Sequence, residues 1–384
     1  MHSFALGVTF VIALLWVLNC VDMARGSRKL PEIRHVTPLR DSDCPTVSVL
    51  FGARDEEEKL PGALDTFLAL DYPRYEIIAV DDRSQDSTGK ILEAAAQSDA
   101  RLKYVRVDSL PAGWLGKPHA LQRAYEESTG EWLAFTDADV HFSRDLLRRA
   151  VAVAKREGWE HLTLLSSAEM HTFGERVVMT FFGMGFAMGV RPWRTSDPRS
   201  SGYTGVGAFQ LIRRSAYERI GTHRRLAMEV VDDMKLGKLV KQSGVRSGVG
   251  KGWDEVRVRW HAGVGNIVRG TTKNFFATSG YNVALVIVQL VATLGMFVLP
   301  WALLPFVRGW ALAFNAIALA AILATHAGVC IEVGESPLYA LTEPVGALIF
   351  CWMLMRSTIV TLWNGGVEWR ETFYSLKELK RGVV

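Results

Sequence analysis

Apolar residues crowd the two ends of the chain and thin out in its middle. Phe4 to Val21 is an apolar run interrupted by a strongly polar residue only at Asn19, close to the ~20 residues needed to cross a bilayer. Three long apolar stretches return near the other end: Val283 to Phe306, Trp310 to Ile331 and Tyr339 to Trp363. Each is long enough to span. Between these regions the apolar runs are short and alternate with polar ones, the pattern of water-soluble α/β protein.

Within that middle, Thr46 to Phe51 is β-branched and apolar, the composition of a strand, and runs into Gly52-Ala-Arg-Asp-Glu-Glu-Glu58. Leu60, Leu64, Phe67 and Leu68 then recur at helical spacing. A second strand, Tyr75 to Val80, ends in Asp81-Asp-Arg-Ser-Gln-Asp-Ser-Thr88, where Ser84 to Thr88 supply turn and cap chemistry. Ile91, Leu92 and Ala95 form the next helix face. A third strand, Leu102 to Val107, precedes the loop Leu110-Pro-Ala-Gly-Trp-Leu-Gly-Lys117 and a helix from His119 to Glu127. Strand alternating with helix, with polar residues at the strand ends, predicts a mostly parallel sheet. Ligands there bind beyond the carboxyl ends of the strands.

A fourth strand, Trp132 to Thr136, ends in two carboxylates one residue apart, Asp137 and Asp139. In an extended chain those side chains point the same way. Two hard oxygen ligands can grip a divalent cation, which in turn holds a diphosphate. A solvated Asp-x-Asp turn is the alternative. Composition narrows the field. Lys plus Arg number 44 against 40 Asp plus Glu, a net charge of +4 with no long basic run, which argues against a nucleic-acid partner. The four cysteines (Cys20, Cys44, Cys330, Cys351) show no metal spacing and mostly lie in apolar segments, so a disulfide framework is not expected.

Four strand-end motifs together carry a resemblance. Gly52-Ala-Arg-Asp-Glu56, Val80-Asp-Asp-Arg-Ser84, Thr136-Asp-Ala-Asp139 and Val231-Asp-Asp-Met-Lys-Leu-Gly237 stand in the order and spacing of family 2 glycosyltransferases. These are inverting enzymes of the GT-A fold that use nucleotide-diphosphate sugars. The resemblance runs from about Pro45 to Trp260, and the Gly-Trp-Leu-Gly-Lys loop is similar to the membrane-bound subgroup with hopanoid-associated and ceramide-type members. It implies that Ala53 and Glu56 line the nucleotide pocket and that Asp82 accepts hydrogen bonds from the base, as a fixed carboxylate suits N–H donors. An Asx turn or cap is the local alternative for Asp82. Lys117 would meet the diphosphate as a point charge, or stand as a solvated lysine. Asp139 is expected as the direct ligand of Mg²⁺ or Mn²⁺, with Asp137 reaching ribose or metal; oxygen-only ligation suits either ion.

On the acceptor side, Gly205-Val-Gly-Ala-Phe209 resembles the family's glycine-containing loop, where Gly207 lets backbone approach a sugar closely. Glu229-Val-Val-Asp-Asp233 resembles its acidic base motif, with Asp233 as general base. Asp232 beside it either repels that charge or caps a helix from Met234 to Gln242. Arg259 and Trp260 are expected near the substrate. Val256-Arg-Val-Arg-Trp260 has valine where processive members carry Gln or Arg, which argues for transfer of one sugar rather than a polymer. The loop also departs from the family at Asp55, where Asn is common.

Arg25, Arg28, Lys29, Arg34 and Arg40 follow the first apolar run and no Lys or Arg precedes it, which predicts a membrane anchor with the middle of the chain on the cytoplasmic side. A cleaved signal peptide is the competing reading, but no positive n-region or Ala-x-Ala site is present. Val177 to Val190, with three Met and three Phe, is short of a span and suits an interfacial segment, an acceptor groove or a buried helix. The expected organisation is an anchor at 1–22, a GT-A domain at 45–262, a membrane-surface segment at 263–282, a transmembrane region at 283–365 and a basic tail at 366–384. Three C-terminal spans would put that tail opposite the catalytic domain, against the positive-inside tendency; Arg356, Pro300 and Pro305 point to a re-entrant alternative. The expected reaction is transfer of one sugar from a nucleotide-diphosphate sugar to a lipid, isoprenoid or other hydroxyl acceptor. A polysaccharide synthase, a transporter and a nucleotide-sugar-binding module without catalysis are the rivals.

Overall fold

The computed structural model describes residues 2–370 and 372–384. Its helices are α1 (His2–Ser27), α2 (Leu60–Leu68), α3 (Thr88–Ser98), α4 (Gly116–Glu126), α5 (Leu146–Glu157), α6 (Phe173–Val190), α7 (Arg214–Arg219) and α8 (Asp232–Gln242), with further helices beyond residue 263. The strands of the main sheet are β1 (Val47–Ala53), β2 (Tyr75–Asp82), β3 (Leu102–Val107), β4 (Trp132–Phe135), β5 (Val140–Phe142), β6 (His161–Ala168), β7 (Gln210–Arg213) and β8 (Ser247–Val258). The chain divides into two compact units. One holds Leu30–Glu169, Pro192–Arg259 and Trp369–Val384; the other holds the chain up to Lys29, Met170–Arg191 and Trp260–Glu368.

The first unit is built on one eight-stranded sheet in the order β3-β2-β1-β4-β7-β6-β8-β5. β1 pairs in parallel with β2 and β4, and β2 with β3. β7 runs antiparallel to β4 and β6, and β5 antiparallel to β8. Alternation along the buried strands divides the side chains between two layers. Val49, Phe51, Ile77 and Ala79 meet α2, α3 and α5 on one face. Leu50, Ile78, Val80, Leu133 and Phe135 meet α4, α7 and α8 on the other. The helices α4 and α8 therefore share a face, and their first turns approach each other, with Lys117 4.0 Å from Asp232. The strands read from sequence are present with small changes of boundary. β4 stops at Phe135, before Asp137, and Asp139 lies in the turn before β5.

Residues set apart in the sequence as a tail fold into this unit. A helix from Leu376 to Arg381 starts in a capping box of Ser375 and Glu378. The Val384 carbonyl accepts from Lys235 Nζ and Lys238 Nζ, both at 2.7 Å. These partners lie far apart in sequence, and no local pattern announces them.

Among the described residues, the second unit contains four helices long and apolar enough to cross a membrane: Ser3–Ser27, Val283–Leu303, Gly309–Glu332 and Pro337–Trp363. Its core joins Ile12, Trp16, Phe181, Met184, Phe297, Ile322 and Ala347. Pro300 does not end its helix, as the sequence had allowed. A π-turn at Leu294–Val298 carries the chain on to Leu303. Proline cannot donate to the carbonyl four residues back, here that of Met296, and the Trp16 indole N–H donates to that oxygen at 2.8 Å. In hydrocarbon an unsatisfied carbonyl is costly, so a tryptophan from another helix is a fitting partner.

Candidate active site

The site residues gather beyond the carboxyl ends of β1, β2 and β4. Register explains much of the gathering. β4 and β7 pair with Phe135 opposite Gln210, so the next residues of β4 meet the loop before β7. Thr136 Oγ1 donates to the Ala208 carbonyl at 2.8 Å, and Gly207 is brought against Asp137. Similarly, Val140 faces Val258 in the β5–β8 pair, which places Arg259 beside Asp139.

Each carboxylate of the turn holds its own lysine. Lys117 Nζ, at the N-terminal end of α4, donates to Asp137 Oδ1 at 2.6 Å and lies 4.0 Å from Asp232. Burial alone would lower the Lys117 pKa, but Asp137, Asp232 and Asp233 outweigh it and hold the ammonium charged well above its usual range. Lys59 Nζ donates to Asp139 Oδ2 at 2.7 Å.

Asp233 stands in the first turn of α8, where acidic residues are favoured by the helix dipole. The Gly207 N–H donates to its Oδ2 at 2.9 Å, and the Met234 N–H to its Oδ1 at 2.7 Å. The loop approaches this helix closely: a Cβ on Gly205 would come within 1.8 Å of the Asp233 carbonyl oxygen. Asp232 is buried, its carboxylate 3.9 Å from the His223 ring. His223 is held neutral, its pKa pushed down to about 3 by burial and by the Lys117 charge.

The nucleotide-side residues are held by a loop pair. The Asp55 and Glu56 N–H groups donate to Ser84 Oγ and Thr88 Oγ1, and Asp55 Oδ1 accepts from the Gln85 N–H. Asp55 has φ 52°, a left-handed conformation that Asp and Asn tolerate better than most residues. Ala53 is buried as the last residue of β1, and Asp82 is buried at the end of β2. Arg83 clasps the Asp82 carboxylate with two bonds of 2.8 and 3.0 Å. Asp82 is thus a paired acceptor rather than a free one.

Lys117, Asp137, Gly207, Asp232 and Asp233 therefore stand in one cluster, with Asp139 in the adjoining turn. Arg259 Nε is buried without a hydrogen-bond partner. Trp260 belongs to the other unit, where its ring lies against Phe182 and His261. Sequence reading missed Lys59, which an acidic run disguises as surface charge, and His223. It also missed Arg370, whose guanidinium bonds Glu56 and donates to the Asp55 carbonyl. A cavity of about 480 Å³ is lined by Arg83, the 108–114 loop, Met228, Thr372, Phe373, Tyr374 and Glu378.

Among the described residues no three His, Cys, Asp or Glu side chains converge as a metal cage. A pair of carboxylates is nonetheless a suitable donor set for Mg²⁺ or Mn²⁺ held jointly with substrate phosphates, as Mg²⁺ usually is.

Over 158 residues, 39% of this chain and 32% of the relative, the sequence is 32% identical to the Beta-monoglucosyldiacylglycerol synthase of Synechocystis sp.. The match thus spans about a third of that relative's length. Over 236 residues, 61% of this chain and 62% of the relative, it is 22% identical to the 4,4'-diaponeurosporenoate glycosyltransferase of Staphylococcus aureus. Among solved structures, the mannosyltransferase PcManGT from Pyrobaculum calidifontis, in complex with GDP-Man and Mn²⁺, is alike in fold, with a TM-score of 0.56 at 20% identity over 94% of this chain and 99% of that one. Residues 48–221 match the family model described as Glycosyl transferase family 2, and together with the sheet and the likeness of fold this identifies the stretch as a family 2 glycosyltransferase domain of the GT-A fold.

Proposed function

We propose that the protein transfers one sugar, with inversion, from a nucleotide-diphosphate sugar to the hydroxyl of a lipid or isoprenoid acceptor. The observation that carries the reading is the convergence of Lys117, Asp137 and Asp233 on Gly207. In a single displacement the acceptor oxygen attacks the anomeric carbon opposite the leaving diphosphate, so one group must accept a proton while cations receive the departing charge. Asp233 is the proton acceptor, with its carboxylate oriented by the Gly207 and Met234 amides. Lys117 supplies charge to the diphosphate. Asp139 and Asp137 would hold Mg²⁺ or Mn²⁺, which supplies Lewis-acid stabilisation of the leaving group when bound. Asp82, Ala53 and Glu56 face the nucleoside.

The acceptor follows from the membrane helices and from the relatives, one named for a glucosyldiacylglycerol and one for a carotenoid acid. A lipid held in the bilayer needs few polar contacts for affinity, since each buried CH₂ contributes about 0.8 kcal/mol. The basic residues after α1 favour a cytoplasmic catalytic domain. The test is to incubate membranes containing the protein with a panel of radiolabelled sugar nucleotides and extract with organic solvent. Label is expected in the organic phase. Label only on a soluble glycan or polymer would overturn the acceptor, and no transfer from any donor would overturn the reaction.

A further inference from the structure

We infer that Lys59 is a resident counter-ion of Asp139, which competes with a divalent cation for that carboxylate and passes to the donor's diphosphate when the cation takes it. The inference rests on the metal and donor reading above and adds a residue to it. Lys59 Nζ stands 2.7 Å from Asp139 Oδ2. The Asp139 side chain is only 18% exposed, whereas that of Lys59 is 44% exposed, so the acid is fixed and the base is free to swing.

The backbone that carries Lys59 is anchored. Glu56 and Glu57 donate their N–H groups to Thr88 Oγ1 and Asp86 Oδ2, Glu57 accepts from the Ser87 N–H, and the Lys59 N–H donates to the Glu56 carbonyl at 3.1 Å. Only the flexible four-carbon stem has to move. The surroundings have the same charge logic. Burial pushes the Glu56 carboxyl up, and the nearby Asp139 charge adds to it, while Arg370 and Lys59 oppose the shift. Without donor, two acids, Glu56 and Asp139, are thus balanced by two cations, Arg370 and Lys59.

A site whose carboxylate is already neutralised binds a bare cation poorly, because each incoming ion must displace an ammonium in contact with the same oxygen. A cation arriving with a diphosphate offers the displaced ammonium a new anionic partner. Lys59 would thereby make cation and donor bind together rather than separately.

The experiment measures binding of Mn²⁺ alone, by the loss of its free-ion paramagnetic resonance signal, to the full-length protein in detergent. Lys59→Met should bind Mn²⁺ about three- to tenfold more tightly than the unaltered chain, as expected for loss of a partly screened ion pair. The same variant should bind inorganic pyrophosphate more weakly. Lys59→Arg should return the Mn²⁺ affinity toward its original value. The gain should persist in salt on the order of 0.5 M, where charges beyond contact distance are screened. An unchanged or weakened Mn²⁺ affinity in Lys59→Met, or a gain abolished by salt, would overturn the competition. Asp139→Asn separates the two levels: if it leaves Mn²⁺ binding unaltered, the metal assignment itself fails, whereas lost binding there with no effect of Lys59→Met defeats only the role of Lys59.

Discussion

The backbone N–H of Gly207 donates to Asp233 Oδ2 at 2.9 Å, and a methyl group placed on Gly207 would stand 2.7 Å from Asp137 Oδ2 and 3.2 Å from Lys117 Nζ. One glycine thus touches the proposed base, the ribose or metal carboxylate and the proposed diphosphate lysine. Because Gly207 carries no left-handed strain, its requirement is for space. Gly207→Ala should fold, since the clash is with side-chain ends, yet reduce transfer by about 100-fold through misplacement of reacting groups. Far-ultraviolet circular dichroism with a transfer assay checks this; transfer within a few fold of the parent would show that the three groups do not act at that point.

Asp233→Asn keeps the shape of the side chain and one acceptor for the two amides that hold it. Loss of a general base costs about 10²- to 10⁴-fold in rate, with donor affinity largely retained. Parallel measurements of turnover and of nucleotide-sugar binding separate this from a binding module. Turnover close to that of the parent would remove Asp233 from the chemistry.

The frame of this site was legible in the sequence because strand ends in a parallel sheet are local features. Asp82, Asp137 and Asp233 each follow or open an element with clear periodicity. The partners of those residues were less legible. Lys59 and Asp139 are far apart in the chain, and their meeting depends on how α2 packs against β5. Arg370 meets Glu56 only through the fold of the whole first unit. The extended conformation read for Asp137 and Asp139 is not kept, for a local reason: β4 ends at Phe135 and the chain turns at Ala138 and Asp139. The C-terminal residues read as a basic tail because Lys377, Lys380 and Arg381 are visible in the sequence while the docking of Val384 on Lys235 and Lys238 is not.

Acid should weaken the sheet-bearing unit through buried histidines. His161 is fully buried against Gln210, its Nε2 3.0 Å from the amide oxygen, and burial pushes its pKa down to about 4. Unfolded, it would titrate near its ordinary value of about 6.5. Between these values the unfolded chain binds the proton and the folded one does not, so stability is lost as pH falls from about 6.5 to about 4 and is unaffected by this group above that window. The loss is on the order of 3 kcal/mol for His161, and His223, pushed down to about 3, acts in the same direction. Chemical denaturation across this range should show the decline, and His161→Asn should flatten it. A pH-independent midpoint between 6.5 and 4 would contradict the buried neutral state.

Membrane topology follows from the way the chain leaves and re-enters the sheet-bearing unit. A water-facing α/β unit lies wholly on one side of a bilayer, and this one includes Leu30–Glu169, Pro192–Arg259 and Trp369–Val384. If the unit does lie on one side, the chain between Arg259 and Trp369 crosses an even number of times, although three of its helices are long and apolar enough to cross. On that reading at least one of the three lies in the interface or re-enters. By the same reasoning α6, which is not among the helices long and apolar enough to cross, would not cross. An even count would keep Lys377, Lys380 and Arg381 on the same side as Arg34 and Arg40, in line with the distribution of positive charge. Single cysteines at Ser42 and Val383, in a background where the four native cysteines are replaced, should react with a membrane-impermeant maleimide from the same face of sealed vesicles. Labelling from opposite faces would require an odd number of crossings and would contradict the packing of Trp369–Val384 with the sheet.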